Sequence, residues 1–196
     1  MKSIPYAKKN PAKLVGIAGI ARTGKALMGG FTSTFKGSEK INVNLMWELA
    51  NQLNYTKQMN DSAAIFLLRR GFYTIAYNLA IGREVNSRPK EYSSISSYRD
   101  KYLYKSRIKY SKDGDIVFNK MKKKKFIVPM LIHDALVHSK ILLKAFPSIK
   151  LIQMEKNPIE LAYSWLNRNF GSKAYQKDRV GILTFKLRNR INSLNF

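Results

Sequence analysis

The sequence predicts an α/β fold in which a parallel sheet is flanked by helices. Three short apolar runs have the composition of buried strands, at residues 13–20, 126–132 and 150–154. Stretches with helical spacing of apolar residues separate them, at 45–53, 63–81 and 139–145. Because strands that alternate with helices usually pair in parallel and are covered on both faces, this order favours a parallel sheet between helical layers.

Each apolar run has its own local reason to form a strand. The first, KLVGIAGI at 13–20, is short, contains β-branched residues and leads into a glycine-containing turn. The second, FIVPMLI at 126–132, is apolar almost throughout, which is typical of a strand buried on both faces. The third run is KLIQM at 150–154, and Pro158 follows it closely. Because proline is favoured in the first turn of a helix, we expect a helix over 158–166.

The chain of 196 residues is expected to form a single domain, residues 1–196. Residues 86–125 are polar, basic and rich in tyrosine, and we interpret them as an irregular basic insertion. Residues 172–196 are expected to be a basic C-terminal tail.

Charge and composition exclude several classes of protein. Thirty-six Lys and Arg residues against 12 Asp and Glu give a net charge of +24, which favours polyanionic partners. The absence of cysteine excludes disulfides, thiolate zinc sites and a cysteine nucleophile, and with only two histidines we expect no metal site. The longest strongly apolar run, 63–68, is too short to span a bilayer, so we expect a cytoplasmic protein without a membrane span.

A phosphate-binding loop follows the first predicted strand. The stretch GIARTGKA, Gly19–Ala26, fits the pattern G-x-x-x-x-G-K. Glycines let backbone N–H groups turn toward an anion, a following helix adds positive potential, and Arg22 and Lys25 add charge. The loop therefore predicts a core like that of the P-loop nucleoside triphosphate hydrolases. The alternative is a glycine-rich turn that carries two surface cations.

The last position of the loop indicates which chemistry to expect. Phosphate-loop kinases and nucleotide hydrolases hold magnesium with a Ser or Thr where this chain has Ala26. Alanine has no hydroxyl, so we favour group transfer from a nucleotide without a metal ion. A P-loop kinase or nucleotide hydrolase remains the alternative.

A second motif follows the third predicted strand. In MEKNPIELAYSW, residues 154–165, Lys156 and Ser164 stand eight positions apart across the start of the predicted helix. Ligands of open α/β sheets bind at this carboxyl edge, so the cation and the hydroxyl could reach the same anion. The alternative is an ordinary helix start in which Ser164 is solvated or bonds a backbone carbonyl.

Together, the two motifs resemble the nucleotide-binding motifs of the sulfotransferase superfamily, which uses 3′-phosphoadenosine-5′-phosphosulfate as co-substrate. The resemblance covers about residues 13–35 and 126–170. It implies that the 5′-phosphosulfate is bound by Arg22, Thr23, Gly24, Lys25 and Ala26. It also implies that Lys156 and Ser164, in K-N-P-x(5)-S, bind the 3′-phosphate.

Three departures from the family pattern accompany this resemblance. Lys156 stands where the family usually has arginine, and Lys25 where it more often has a small or hydroxylated residue. The family's further glycine-rich and basic segment has no counterpart in residues 180–196. The resemblance therefore implies a short or C-terminally truncated member.

The implied reaction moves a sulfuryl group to an acceptor hydroxyl, and the basic charge suits an anionic glycan or a phosphorylated metabolite as acceptor. Arg22, assisted by Lys25, would stabilise the charge that develops on the leaving nucleotide. His133, at the end of the second predicted strand, is the candidate base. Asp134 and Glu48 remain alternatives for that role.

A different hypothesis comes from residues 98–110, YRDKYLYKSRIKY, where aromatic and basic residues interleave. This composition suits stacking on bases and contact with phosphates in a nucleic-acid-binding protein. The run fits no named nucleic-acid module, and we favour a basic wall beside an anionic substrate. We therefore do not expect a nucleic-acid partner.

Overall fold

The computed structural model describes residues 10–91, 93–98, 101–109, 113–133, 135–169, 182–187 and 190–195. The strands are β1 (Lys13–Ala18), β2 (Asn42–Val43), β3 (Ile127–Ile132), β4 (Lys150–Gln153), β5 (Ile182–Leu187) and β6 (Arg190–Asn195). The helices are α1 (Lys25–Thr32), α2 (Leu45–Tyr55), α3 (Asp61–Ala80), α4 (Lys101–Ile108), α5 (Gly114–Lys123), α6 (Ala135–Ala145) and α7 (Pro158–Leu166), with a 3₁₀ turn over Ile95–Ser97.

Strands β1 to β4 form one parallel sheet in the order β2-β3-β1-β4. The prediction of an α/β fold with a parallel sheet flanked by helices is confirmed, and the three predicted strands are β1, β3 and β4. Strand β2 was not predicted, because it has only two residues and owes its extended form to pairing with β3.

The predicted helices correspond to α2, α3, α6 and α7, although α6 begins at Ala135 rather than at Ser139. The segment 86–125, expected to be irregular, contains α4 and α5. Residues 182–195, inside the expected basic tail, include the antiparallel hairpin of β5 and β6. Short polar helices such as α4 lack a strong apolar period, so the sequence pattern does not mark them.

Apolar side chains cover both faces of the parallel sheet. On one face α2, α3 and α6 pack over the strands through buried residues such as Leu68, Phe72 and Phe146. On the other face α1 lies over a smaller cluster of Ile17, Ile41 and Leu131. Burying a large apolar side chain contributes about 1.5–3 kcal/mol to the free energy of unfolding. Because more such side chains are buried under α2, α3 and α6, this face contributes most of the stability of the core.

Helix α1 approaches the sheet closely because of one glycine. A Cβ atom at Gly29 would lie 1.7 Å from Cδ1 of Ile41, closer than any two carbon atoms can pack. The absence of a side chain at this position lets α1 lie against Ile41.

The strands end level with one another. Ala18 pairs with Ile132 on one side and with Gln153 on the other. The residues that follow, Gly19, His133 and Met154, therefore share the carboxyl edge of the sheet. In the part of the chain that the structure describes, no helix is long and apolar enough to cross a bilayer.

Candidate functional site

The loop between β1 and α1 has an unusual backbone. Gly19, Arg22 and Gly24 have positive φ angles of 135°, 74° and 96°. Gly24 is the N-cap of α1, and no side chain caps the first N–H groups of that helix. Because α1 begins at the end of this loop, the positive end of its helix dipole lies at the carboxyl edge of the sheet.

Gly19 is required at its position by space as well as by conformation. A Cβ atom there would lie 2.5 Å from the carbonyl oxygen of Met154 and 2.8 Å from Oγ1 of Thr23. The backbone N–H of Met154 donates to the carbonyl of Ala18 at 2.8 Å, which joins β4 to the start of the loop. The loop is therefore held directly against the strand that leads to the second motif.

The predicted loop residues have different environments. The Thr23 hydroxyl donates to the carbonyl of Ile20 at 2.8 Å and so closes the loop on itself. Lys25 is only 6% exposed, whereas Arg22 is exposed and Ala26 is half-buried. The interpretation of the loop as a turn with two surface cations is wrong for Lys25, which lies in the interior.

The two predicted motifs meet in the folded chain. Nε of Arg22 donates to Oγ of Ser164 at 3.3 Å, across 142 residues of sequence. Nε1 of Trp165 donates to the carbonyl of Ala21 at 2.9 Å and anchors the loop to α7. These two bonds place the phosphate-loop pattern and the K-N-P-x(5)-S pattern on opposite sides of one opening.

That opening is a cavity of about 610 Å³. It is lined by Arg22, Lys156, Ile159, Glu160, Tyr163, Ser164, Asn167 and Arg168. Three cations thus face one carboxylate, and Nζ of Lys156 lies 3.8 Å from Oε2 of Glu160 in a partly exposed pair. Such exposed pairs are weak, so the cavity keeps a positive charge that suits an anion.

A histidine–carboxylate pair lies on the neighbouring strand. Nδ1 of His133 is 3.0 Å from Oε1 of Glu48, and the backbone N–H of His133 donates to Oε2 of the same carboxylate at 2.5 Å. The side chain of Glu48 is 3% exposed and that of His133 is 30% exposed. Because a carboxylate only accepts, the hydrogen bond places a proton on Nδ1, and in the neutral imidazole Nε2 is then the nitrogen that can accept a proton.

This geometry changes how the three candidate bases are related. Glu48 and His133 form one unit, in which the buried carboxylate orients the more exposed imidazole. Asp134 lies outside the described residues. The pairing was not predictable from sequence, because Glu48 and His133 are separated by 85 residues and meet only through the packing of α2 against the end of β3.

The sequence analysis missed part of the cavity. Trp165, Tyr163, Asn167 and Arg168 were not named as site residues, yet one anchors the loop and three line the opening. Tyr163 and Asn167 are four residues apart, as are Ser164 and Arg168, which is the spacing of one helical face. A helical projection around Ser164 would therefore have indicated Tyr163, Asn167 and Arg168, but not Trp165.

The run 98–110 does not form an exposed stacking surface as a whole. Tyr98 and Tyr104 are buried, and Arg107 makes two bonds to Glu39, at 2.7 and 3.0 Å. The hydroxyls of Tyr98 and Tyr104 donate to the Ser38 carbonyl and to Oε2 of Glu39. Of the aromatics in this run, Tyr102 is 71% exposed, with the ammonium groups of Lys101 and Lys105 near its ring.

Protonation in this buried group follows from its surroundings. Burial, together with the negative charge and hydrogen bond of Glu39, raises the pKa of Tyr104 well above its usual value. Burial acts to lower the pKa of Arg107, but the hydrogen bonds and charge of Glu39 outweigh it and leave that pKa raised. Arg107 is therefore a structural cation, not a ligand for a phosphate.

Among the residues that the structure describes, no three acidic or histidine side chains lie close enough together to hold a metal ion. Comparison of the chain with protein-family models, with curated proteins and with solved structures found no match.

Proposed function

We propose that this chain is a sulfotransferase that uses 3′-phosphoadenosine-5′-phosphosulfate. The observation that carries the proposal is the contact between Arg22 and Ser164 across a shared basic cavity. Each motif by itself has a structural alternative. Their meeting in one opening is what a nucleotide with phosphates at two separate positions requires.

The proposal assigns a role to each motif. The loop from Gly19 to Lys25, the phosphate loop of a P-loop core, would bind the 5′-phosphosulfate through its backbone N–H groups and the start of α1. Lys156 and Ser164 would bind the 3′-phosphate, with Arg168 adding charge from the same wall of the cavity. Arg22 would lie between the two positions, and the contact of its guanidinium with Ser164 supports this role.

The chemical step needs a base for the acceptor and stabilisation of the leaving nucleotide. The acceptor oxygen attacks sulfur, the bond from sulfur to the bridging oxygen breaks, and that oxygen leaves with the electron pair. Nε2 of His133 takes the acceptor proton, and the buried carboxylate of Glu48 stabilises the resulting imidazolium. Arg22 and Lys25 stabilise the charge on the leaving oxygen, because fixed cations cost little reorganisation.

A P-loop kinase or nucleotide hydrolase is the competing function. Both share the loop pattern, but they need a hydroxyl ligand for magnesium at the position of Ala26. The competing proposal therefore differs in a measurable way: it requires magnesium and a triphosphate, whereas sulfuryl transfer requires a 3′-phosphate.

Thermal stability with added nucleotide tests the proposal. At a hundredfold excess over its Kd, 3′-phosphoadenosine-5′-phosphate should stabilise the native state by about 2.7 kcal/mol. For a chain of this size that corresponds to a rise in Tm of about 5–10 °C. The Arg22→Ala variant should need at least about tenfold more nucleotide for the same rise, since it loses an ionic contact of about 1.5–3 kcal/mol.

Lys36→Ala is the matched control, because Lys36 is an exposed cation in the turn after α1 and outside the cavity. It should respond as the wild type does. No rise in wild-type Tm, or an equal rise in Arg22→Ala, contradicts the proposal. A rise with ATP that depends on magnesium and does not compete with 3′-phosphoadenosine-5′-phosphate supports the kinase or hydrolase instead.

A further inference from the structure

Helix α4 divides the aromatic and basic residues of the run 98–110 between the interior and the surface. Tyr104 and Arg107 are buried and contact Glu39. The outward part of the run, which we call the basic stripe, consists of Lys101, Tyr102, Lys105 and Lys109. None of these four residues lines the nucleotide cavity, so the proposed function does not account for them.

The helical repeat brings the members of the basic stripe together. Lys101, Lys105 and Lys109 follow one another at the spacing of one helical face. The backbone N–H of Lys109 donates to the carbonyl of Lys105 at 3.2 Å, which continues this spacing past the end of α4. The ammonium groups of Lys101 and Lys105 lie 5.6 and 5.8 Å from the centre of the Tyr102 ring. Because Tyr102 is still 71% exposed, a second flat group can contact its ring.

The charge of the basic stripe is not neutralised within the described part of the chain. No carboxylate there lies within salt-bridge distance of Lys101, Lys105 or Lys109. In sequence, residues 98–110 contain five basic residues and one acidic residue, Asp100. The basic stripe therefore presents a positive potential that attracts an anion with several charges.

The end of helix α5 adds further positive charge beside α4. The lysines at 120 and 122–125 are exposed. Met121 lies between them in the chain, and its Sδ atom is 3.8 Å from Nη2 of Arg107, so this end of α5 packs against α4. The acidic residues Asp113 and Asp115 lie at the opposite end of α5. The positive surface thus extends beyond the basic stripe itself.

The exposed ring among these cations indicates which polyanion fits. In a single-stranded nucleic acid, the phosphates contact cations and the unpaired bases stack on aromatic side chains. In a duplex the faces of the bases are already stacked on one another, so Tyr102 would have no base to contact. The combination of Tyr102 with three lysines therefore favours a single strand.

The arrangement differs from that of a helix that lies on a membrane. Such a helix turns a continuous apolar face toward the lipid. Around α4, with about 3.6 residues per turn, the three lysines of the basic stripe lie between the exposed side chains of Tyr102 and Ile108. The lysines thus interrupt the apolar surface that a bilayer would need. A second copy of the chain is disfavoured as well, because it carries the same charge of +24.

We propose that the basic stripe binds single-stranded nucleic acid, with one base stacked on Tyr102 and the phosphates bound by the three lysines. The sequence alone did not lead us to expect a nucleic-acid partner, because the run 98–110 fits no named module. The structure separates the buried members of that run from the exposed ones. The inference is independent of the proposed sulfotransferase function, since it uses none of the residues that line the nucleotide cavity.

The test measures the binding of a fluorescein-labelled oligothymidylate by fluorescence anisotropy. If three lysines contact phosphates, the affinity should fall by at least about twentyfold when salt rises from about 50 to about 200 mM. Tyr102→Ala should weaken binding by at least about fivefold, the lower end of what one stacked base contributes. Tyr102→Phe keeps the ring and should bind as the wild type does.

A lysine variant tests the phosphate contacts. Lys105→Gln should weaken binding and reduce the slope of log affinity against log salt by about 0.7. Lys36→Gln is the matched control, because Lys36 is an exposed cation outside the basic stripe, and its affinity and slope should equal those of the wild type. All of the substituted side chains are at least partly exposed, and urea denaturation should give wild-type stability for each variant.

Two results would overturn the proposal. If Tyr102→Ala binds the oligonucleotide as tightly as the wild type, no base stacks on this ring. If Lys36→Gln loses as much affinity as Lys105→Gln, the strand is held by net charge and not by the basic stripe.

Two further measurements separate the alternatives. Arg22→Ala should keep the wild-type affinity for oligothymidylate, and a loss equal to that of Tyr102→Ala would place the strand in the nucleotide cavity and contradict the proposal. Vesicles of phosphatidylglycerol test the membrane alternative. If Tyr102→Ala loses binding to these vesicles but not to oligothymidylate, the basic stripe contacts lipid and the proposal is wrong.

Discussion

Two arginines show how differently this protein uses positive charge. Arg107 is 8% exposed, bonds both carboxylate oxygens of Glu39 and donates to the carbonyl of Leu79 at 3.0 Å. Arg22 is exposed, and its bond at 3.3 Å is to the neutral hydroxyl of Ser164. In the described part of the chain, no carboxylate lies within salt-bridge distance of Arg22, whereas Glu39 neutralises Arg107.

The difference teaches that net charge does not locate a binding site. A buried cation that bonds a carboxylate inside the protein joins segments of the chain, as Arg107 joins α4 to the residues before β2. A cation on a strained loop beside other cations is available to a ligand. The same residue type thus stabilises the fold at position 107, whereas at position 22 it is the one that we propose for ligand binding.

The largest expected effect comes from breaking the buried pair. Arg107→Met removes the cation and leaves Glu39 buried without its partner, which should lower the free energy of unfolding by about 3–5 kcal/mol. Urea denaturation measures this loss.

Glu39→Gln combined with Arg107→Met is the control, because neither charge then remains in the interior. The double variant should recover part of the lost stability. A single variant as stable as the wild type would show that Arg107 is not the structural cation that its geometry indicates.

The second largest effect is expected in the loop between β1 and α1, which carries Arg22. Gly19→Ala should cost about 1–3 kcal/mol, because φ is 135° and the new Cβ would meet the Met154 carbonyl at 2.5 Å. It should also weaken binding of 3′-phosphoadenosine-5′-phosphate, since the loop must move.

Gly30→Ala is the matched control, in α1. No atom lies within 4 Å of its Cβ position, so it should raise stability by up to about 1 kcal/mol through helix propensity. Thermal denaturation of both variants checks the pair, and a Gly19→Ala protein as stable as Gly30→Ala would show that the loop is not under this constraint.

The smallest effect is a pH dependence of the buried group. The pKa of Tyr104 is raised, first by burial and then by Glu39, so the folded protein keeps its phenol neutral above pH 10 while the unfolded chain ionises. The contribution of Tyr104 to the free energy of unfolding is therefore fully present below pH 10. It decreases as the pH rises toward the folded-state pKa, by up to about 1.4 kcal/mol per pH unit.

Tyr104→Phe lacks this titration. The difference in unfolding free energy between wild type and Tyr104→Phe should therefore shrink between pH 10 and 11, measured by urea denaturation at each pH. A difference that stays constant over that range would mean that Tyr104 ionises equally easily in both states.

The strands and the loop of the candidate site could be predicted because their signals are local. Apolar runs mark β1, β3 and β4, and glycine spacing marks the turn before α1. Helix α7 was predicted with its observed bounds, since Pro158 and Asn157 fix its start through backbone restriction and a side-chain cap. The resemblance to the sulfotransferases implied that both motifs bind the same nucleotide, but it gave no contact between Arg22 and Ser164, which comes from the structure.

Other features could not be predicted, because they depend on contacts between residues distant in sequence. Strand β2 forms because it pairs with β3. The local sequence suggests that Tyr104 is a surface aromatic, and only the packing of α4 brings its hydroxyl to Glu39 in the interior. Glu48 and His133 were predicted as alternatives for the base. In the structure they contact each other, because α2 packs beside the end of β3.

The sequence by itself determined that β1, β3 and β4 are strands, that α2, α3, α6 and α7 are helices, that a glycine-containing turn precedes α1, and that the chain carries a charge of +24. Those properties follow from side-chain shape, apolar periodicity and residue counts, which act over a few positions. Only the tertiary structure decided which charges are neutralised and which face a cavity. That choice depends on burial and on the distance to a partner carboxylate, and both arise only when remote segments pack together.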